Sequence, residues 1–262
     1  MNTIINNLIS LSKEGAFSCQ EDIKPMSAFK WNILYKIAEI EDIAPYVCRG
    51  LERHREDMRS NIPPMVMDMF SKASFTNADE IKLQFNLSDI DSQKLSYPLK
   101  RYLLKDIIYK EKHSIDTSKI SLDLLSLILQ NTNIILRSGI RLRGIMELGI
   151  FLRTKGQLVD FVKVESWLQK LKLKKMAALQ ASVLTDYFGF ELVEFPYVKK
   201  TDKRAAALTE KSLNKVYWMN KQERQTSKYN IRNCITFHRY SHSESLCKAT
   251  STIIRSLSEI EE

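Results

Sequence analysis

The chain of 262 residues carries 40 Lys+Arg against 31 Asp+Glu, a formal charge of +9. Its 44% hydrophobic and 27% charged content is that of a globular protein of one or two domains, not of a disordered chain. Seven Gly and six Pro are too few for the turns of a β-sandwich or barrel, or for glycine-rich nucleotide loops, so the expected class is all-α, mostly a helical bundle.

No window of ~18 apolar residues is present, so no membrane-spanning helix and no membrane partner are expected. Met1 to Glu14 lacks a basic leader and is interrupted by Asn2, Asn6, Asn7 and Ser10, which argues against a signal peptide. The Ala16-Phe17-Ser18-Cys19 stretch has the look of a lipoprotein cleavage site without the apolar run that one needs. Cys19, Cys48, Cys234 and Cys247 are scattered, with no C-x-x-C pair, and read as reduced thiols of a cytoplasmic protein. The charge is uneven: residues 195–262 hold 13 Lys+Arg and 7 Asp+Glu, and Lys170, Lys172, Lys174 and Lys175 form a second cluster. Such patches attract phosphate-rich partners, nucleic acid included, although a solvated helical face has the same composition.

In chain order, Trp31, Leu34, Tyr35 and Ala38 fall on one helical face. Pro45 suits the first turn of a second helix with Val47, Leu51, His54 and Met58 as its buried stripe. His54 there is expected to be a satisfied core histidine. After Pro63-Pro64, Met65, Met69 and Ala73 continue in helical register, with the Met65 to Met69 run expected to fill core. Leu83, Phe85 and Leu87 alternate with polar residues, which predicts a small strand remnant around 82–88. Tyr97-Pro98 then breaks the chain before a short helix over Leu99 to Ile108. From Ser121 the pattern strengthens: Leu122, Leu125, Leu129 and Thr132 set one face, widened by Ile128 and Leu136 and closed by Gly139 in a left-handed conformation. Leu142, Ile145, Leu148 and Leu152 mark the next helix, where Gly149 allows close approach. Val164, Trp167, Leu168 and Leu171 mark a third, and Met176, Leu179, Val183 and Tyr187 a fourth, ending at Gly189. Long basic helices are expected from Thr201 onward. The resulting division is 1–75, a connector over 76–118, and 119–262, the two outer regions packed as one unit.

Several of these stretches together resemble a group of poorly characterised bacterial nucleotidyltransferase-family proteins of the Bacteroidetes type. The N-terminal part is Trp31-Asn-Ile-Leu-Tyr-Lys-Ile-Ala38, then Ile43-Ala-Pro-Tyr-Val47, Gly50-Leu51 and Ile62-Pro63. The later part is Gly139-Ile-Arg141-Leu-Arg143-Gly-Ile-Met-Glu147 with Phe151-Leu152, in which Glu147 stands where the family has Asp. Leu171 to Pro196 and Arg239 to Leu246 continue the likeness, with His242 at a position the family usually gives to Pro. The resemblance implies helical flanks around a nucleotidyltransferase core that needs a Gly-Ser turn for the triphosphate and a D-x-D carboxylate pair for divalent metal. Asp89 and Asp91 reproduce the D-x-D element, yet no glycine lies between Gly50 and Gly139 to build the phosphate turn.

The expectation is therefore a non-catalytic helical relative that binds a protein or phosphate-bearing partner. One alternative is a residual nucleotidyltransferase using Asp89 and Asp91 with magnesium and a nucleoside triphosphate. Another is a basic helical nucleic-acid-binding module. Cys234, His238 and His242 recur every four residues, but Cys234 and His242 on a continuous helix would stand about 12 Å apart along its axis, too far for one tetrahedral zinc site. A Cys–His nucleophile lacks an orienting third group. The spacing of Gly139, Gly144 and Gly149 is not that of a phosphate loop.

Overall fold

The computed structural model describes residues 2–55, 62–77, 95–219 and 221–258. Among them lie thirteen α-helices and no strand, so the protein is all-α. The expected strand over 82–88 lies outside the described residues, as do Met58, Asp89 and Asp91. Among the described residues no helix is long and apolar enough to cross a membrane. The helices divide into two compact units.

The first unit holds α1 (Asn2–Phe17), α2 (Ala28–Ile40), α3 (Ala44–Arg53), α4 (Pro64–Asn77) and one distant helical turn, Leu213–Trp218. Leu8 and Leu11 of α1 and Val47 and Leu51 of α3 are fully buried. The crossing of α1 and α3 is set by two glycines. A Cβ on Gly50 would sit 2.3 Å from the Leu11 carbonyl oxygen, and one on Gly15 would sit 1.8 Å from that of Tyr46. Polar residues of α1 hold the segment that follows it: Asn7 donates to Lys24 O at 2.7 Å and accepts from Lys24 N at 3.1 Å. Buried Glu14 accepts from Glu21 N and bonds His54 Nε2, both at 2.7 Å, so His54 is a partnered histidine at the end of α3. Trp31, Leu34 and Ala38 are buried as their spacing predicts. In α4 the inward face differs from the sequence expectation by one residue. Val66 and Phe70 are buried, whereas Met65 is 68% exposed, because the ring of Phe70 meets Tyr35 edge-on at 4.9 Å and fixes the helix's rotation.

The second unit contains α5 (Pro98–Lys112), α6 (Lys119–Ser138), α7 (Leu142–Lys155), α8 (Phe161–Lys170), α9 (Lys174–Phe188), the start of α10 (Ala205–Trp218), α11 (Lys221–Gln225), α12 (Ser227–Phe237) and α13 (His242–Ser258). The helix expected over Leu99 to Ile108 is longer than its pattern suggested. The long helices expected after Thr201 are four shorter ones, broken at Met219, Thr226 and Ser241. Ser118 caps the N-terminus of α6, and α6 is buried on nearly every side by α7, α8, α9 and α12. Gln180 of α9 donates to Ile128 O and Thr132 Oγ1 of α6. A close approach of α6 and α7 is at Gly144: Asn131 donates to Gly144 O at 2.9 Å, and a Cβ on Gly144 would sit 2.1 Å from the Asn131 amide oxygen.

The last carbonyls of a helix have no intrahelical donor. In α6 they are met by side chains of α12: Cys234 Sγ donates to Leu136 O, Asn233 Nδ2 to Arg137 O and Tyr229 OH to Ser138 O. Gly139 follows with φ 85° and ψ −178°, a positive-φ conformation open to glycine but extended rather than left-handed helical. Its neighbour Ile140 donates to Ser212 Oγ. Gly189 does take the left-handed cap, with φ 68° and ψ 35°.

Candidate functional site: a basic cleft

A cleft of about 510 Å³ opens in the second unit where three chain segments meet. Tyr97, Leu99, Lys100 and Leu103 come from the start of α5. Lys170, Lys172, Lys174 and Lys175 come from the turn between α8 and α9. Arg239 to Ser243 come from the short 3₁₀ turn and the start of α13. Six cationic side chains thus face one cavity with Tyr and Leu walls, and among the described residues no carboxylate lines it.

Each segment has a local reason for its place. The α8–α9 turn is a Schellman motif: Lys172 N bonds Gln169 O, Leu173 N bonds Leu168 O, and Lys172 takes φ 54°. Leu171 and Leu173 on either side of Lys172 are fully buried, which anchors the turn and leaves Lys172 exposed. Helix α9 starts with no side-chain cap, so its first amide N–H groups lack an intrahelical acceptor at the cleft edge. Buried Glu244 of α13 accepts from Ser96 N at 2.7 Å and from Tyr97 N at 3.2 Å, fixing the start of α5 beside the start of α13.

Lys100 sits at the back, almost fully buried, and donates to Ser241 Oγ at 3.0 Å. Burial holds its ammonium below the ordinary lysine value, with nearby Lys172 adding to this and Glu244 opposing it. The side chains of Lys170, Lys172 and Lys175 have no hydrogen-bond or ion-pair partner among the described residues, whereas Lys174 pairs with Glu165 at 2.8 Å. The Arg239 guanidinium lies 5.4 Å from the Tyr240 ring centroid. Three lysines without counter-charge, next to apolar walls and the open start of a helix, are the chemistry of an anion site.

The other residues singled out in the sequence take different places. Glu147 pairs with Arg143 at 2.9 Å on the partly exposed side of α7. Cys234, His238 and His242 do not share a helix, because α12 ends at Phe237 and α13 starts at His242. Cys234 is spent on capping α6, and His238 Nδ1 bonds Ser245 Oγ at 2.7 Å. The four cysteines are all unbridged. Sequence reasoning passed over Lys100. Its signal was present: Lys100, Leu104, Ile107 and Glu111 share one buried stripe of α5, which puts a cation and a carboxylate on an apolar face. It also passed over Lys248, which donates to both oxygens of Asn133 at the end of α6 and is brought down to about 8, chiefly by burial. That lysine has a structural use, since its bonds to Asn133 tie α13 to α6.

No family model matches the chain, and no curated protein or solved structure matches it.

Proposed function

We propose that this protein acts by binding rather than by catalysis, and that its basic cleft takes a phosphate-bearing ligand. The observation that carries this reading is the cleft lining: six cations, three of them without partners, and no carboxylate among the described residues. Its volume is within the ~300–1,000 Å³ range of small-molecule sites, and its Tyr and Leu walls suit an organic body attached to the phosphate. The likeness to nucleotidyltransferases adds one expectation of its own, that flanks kept without a phosphate turn bind but do not transfer.

Calorimetric titration with ATP and with pyrophosphate tests the binding. Saturable binding that weakens as salt rises is expected, with a loss of roughly tenfold or more in a Lys170→Ala/Lys175→Ala variant. No heat with either anion would remove the reading. Incubation with magnesium and labelled nucleoside triphosphates tests the second half. Transfer of label that is abolished by Asp89→Asn/Asp91→Asn would replace the binding protein by a residual nucleotidyltransferase.

A further inference from the structure

The solvent-facing side of α5 carries a second pattern. Tyr102 and Lys105, then Tyr109 and Lys112, repeat after seven residues. At about 100° per residue the four fall within about 80° of one another on the helix, and the two rings stand about 10 Å apart along its axis. Tyr102 is 69% and Tyr109 65% exposed, and Lys105 and Lys112 have no hydrogen-bond or ion-pair partner among the described residues. The carboxylates of the same helix are occupied: Asp106 pairs with Lys110 at 2.7 Å, and buried Glu111 with Lys163 at 2.9 Å. His113 lies against Tyr109, its ring centroid 4.2 Å away, and backs that platform. The stripe starts one turn beyond Leu99, at the rim of the cleft, and runs along the solvent-facing side of α5.

Exposed aromatic rings are costly to leave in water, and on this helix they alternate with uncompensated cations. That combination suits a chain of phosphates whose bases are free to stack. We propose that the phosphate-bearing ligand is a single-stranded nucleic acid, which places a phosphate group in the cleft and stacks two non-adjacent bases on Tyr102 and Tyr109, with Lys105 and Lys112 against the intervening backbone. A duplex fits this surface poorly, because its base faces are already stacked. The inference rests on the anion reading of the cleft and adds the polymer to it.

Fluorescence anisotropy of the full chain with labelled single-stranded RNA, single-stranded DNA and a duplex of the same length tests it. Both single strands are expected to bind more tightly than ATP and at least tenfold more tightly than the duplex. A preference between the two strands reports whether the 2′-hydroxyl is read. Tyr102→Ala/Tyr109→Ala is expected to lose roughly tenfold or more, while Tyr102→Phe/Tyr109→Phe keeps the affinity because the ring faces remain. Lys105→Gln/Lys112→Gln is expected to flatten the salt dependence by about two charges. All four positions of change are on exposed side chains, and ATP affinity serves as the check that each variant is folded. If ATP binds and the single strands bind no more tightly, the polymer is excluded and the cleft reading stands. If neither binds, both fall. Equal binding of duplex and single strand, or indifference to loss of both rings, overturns the stacking role.

Discussion

Lys172 occupies a position that most sequences give to glycine. Its φ of 54° closes the Schellman turn, and a side chain with a Cβ in that region costs about 1–2 kcal/mol. Asp42 does the same between α2 and α3, with φ 58° and the matching pair of bonds from Asp42 N to Glu39 O and Ile43 N to Ala38 O. In both turns the following residue, Ile43 or Leu173, is fully buried, so packing of that residue holds the strain in place. At Lys172 the strained residue is also a cleft cation, which gives a reason for keeping it. Lys172→Gly is therefore expected to be more stable by about 0.5–1 kcal/mol, after allowing for the extra freedom of glycine in the unfolded chain, and to bind the anion more weakly. Urea unfolding alongside an ATP titration checks this, and a variant weakened in both would deny that strain is stored there. The basic cluster itself was legible from its spacing. The left-handed turn was not, since no glycine or asparagine marked it.

At the scale of the helix, the close crossing of α1 and α3 depends on having no side chain at Gly15 and Gly50. Because the obstacle at each is a backbone carbonyl rather than a flexible side chain, Gly50→Ala forces the two helices apart. A loss of about 2–3 kcal/mol is expected from such overpacking, read as a lower denaturation midpoint, while an unchanged midpoint would show that the helices separate at little cost. The helices were the most readable part of this chain. The stripes of α2, α6, α7 and α8 fall where their 3.6-residue periods put them, because one-sided burial leaves a repeating mark in sequence. What joins helix to helix left no such mark. The capping of α6 by Tyr229, Asn233 and Cys234 links residues about a hundred positions apart. The register of α4 was not legible because Met65, Val66, Met69 and Phe70 are all apolar, and the contact of Phe70 with Tyr35 selects which of them turn inward.

For the molecule as a whole, the buried ionisable groups set a pH dependence with two opposed limbs. Burial lowers Lys248 to about 8 against an ordinary 10.5, and lowers Lys100 as well. Between about pH 8 and 10.5 the unfolded chain holds more protons at these lysines than the folded one, so stability rises with pH there. Burial raises the phenols of Tyr35 and Tyr187 to about 12 and also raises those of Tyr197 and Tyr240. Above pH 10 the unfolded chain loses these protons first, so stability falls. The thiol of Cys234, raised by burial, starts to oppose the lysines from about pH 9. Unfolding free energies measured from pH 7 to 11 should pass through a maximum near pH 9–10, and Lys248→Met should flatten the rising limb. A steady decline from pH 7 would contradict the assignment of Lys248.

Helix α10 is divided between the units: its start groups with the second, while its last turn, with Leu213 and Val216 buried, groups with the first. The first unit is thus discontinuous in sequence. During synthesis, α1 to α4 leave the ribosome well before the turn that groups with them, and all of α5 to α9 is made in between. The first unit is therefore not complete in sequence until α5 to α9 have been translated. Chains interrupted before residue 213 should depend on chaperones and proteases in a way that the finished protein does not.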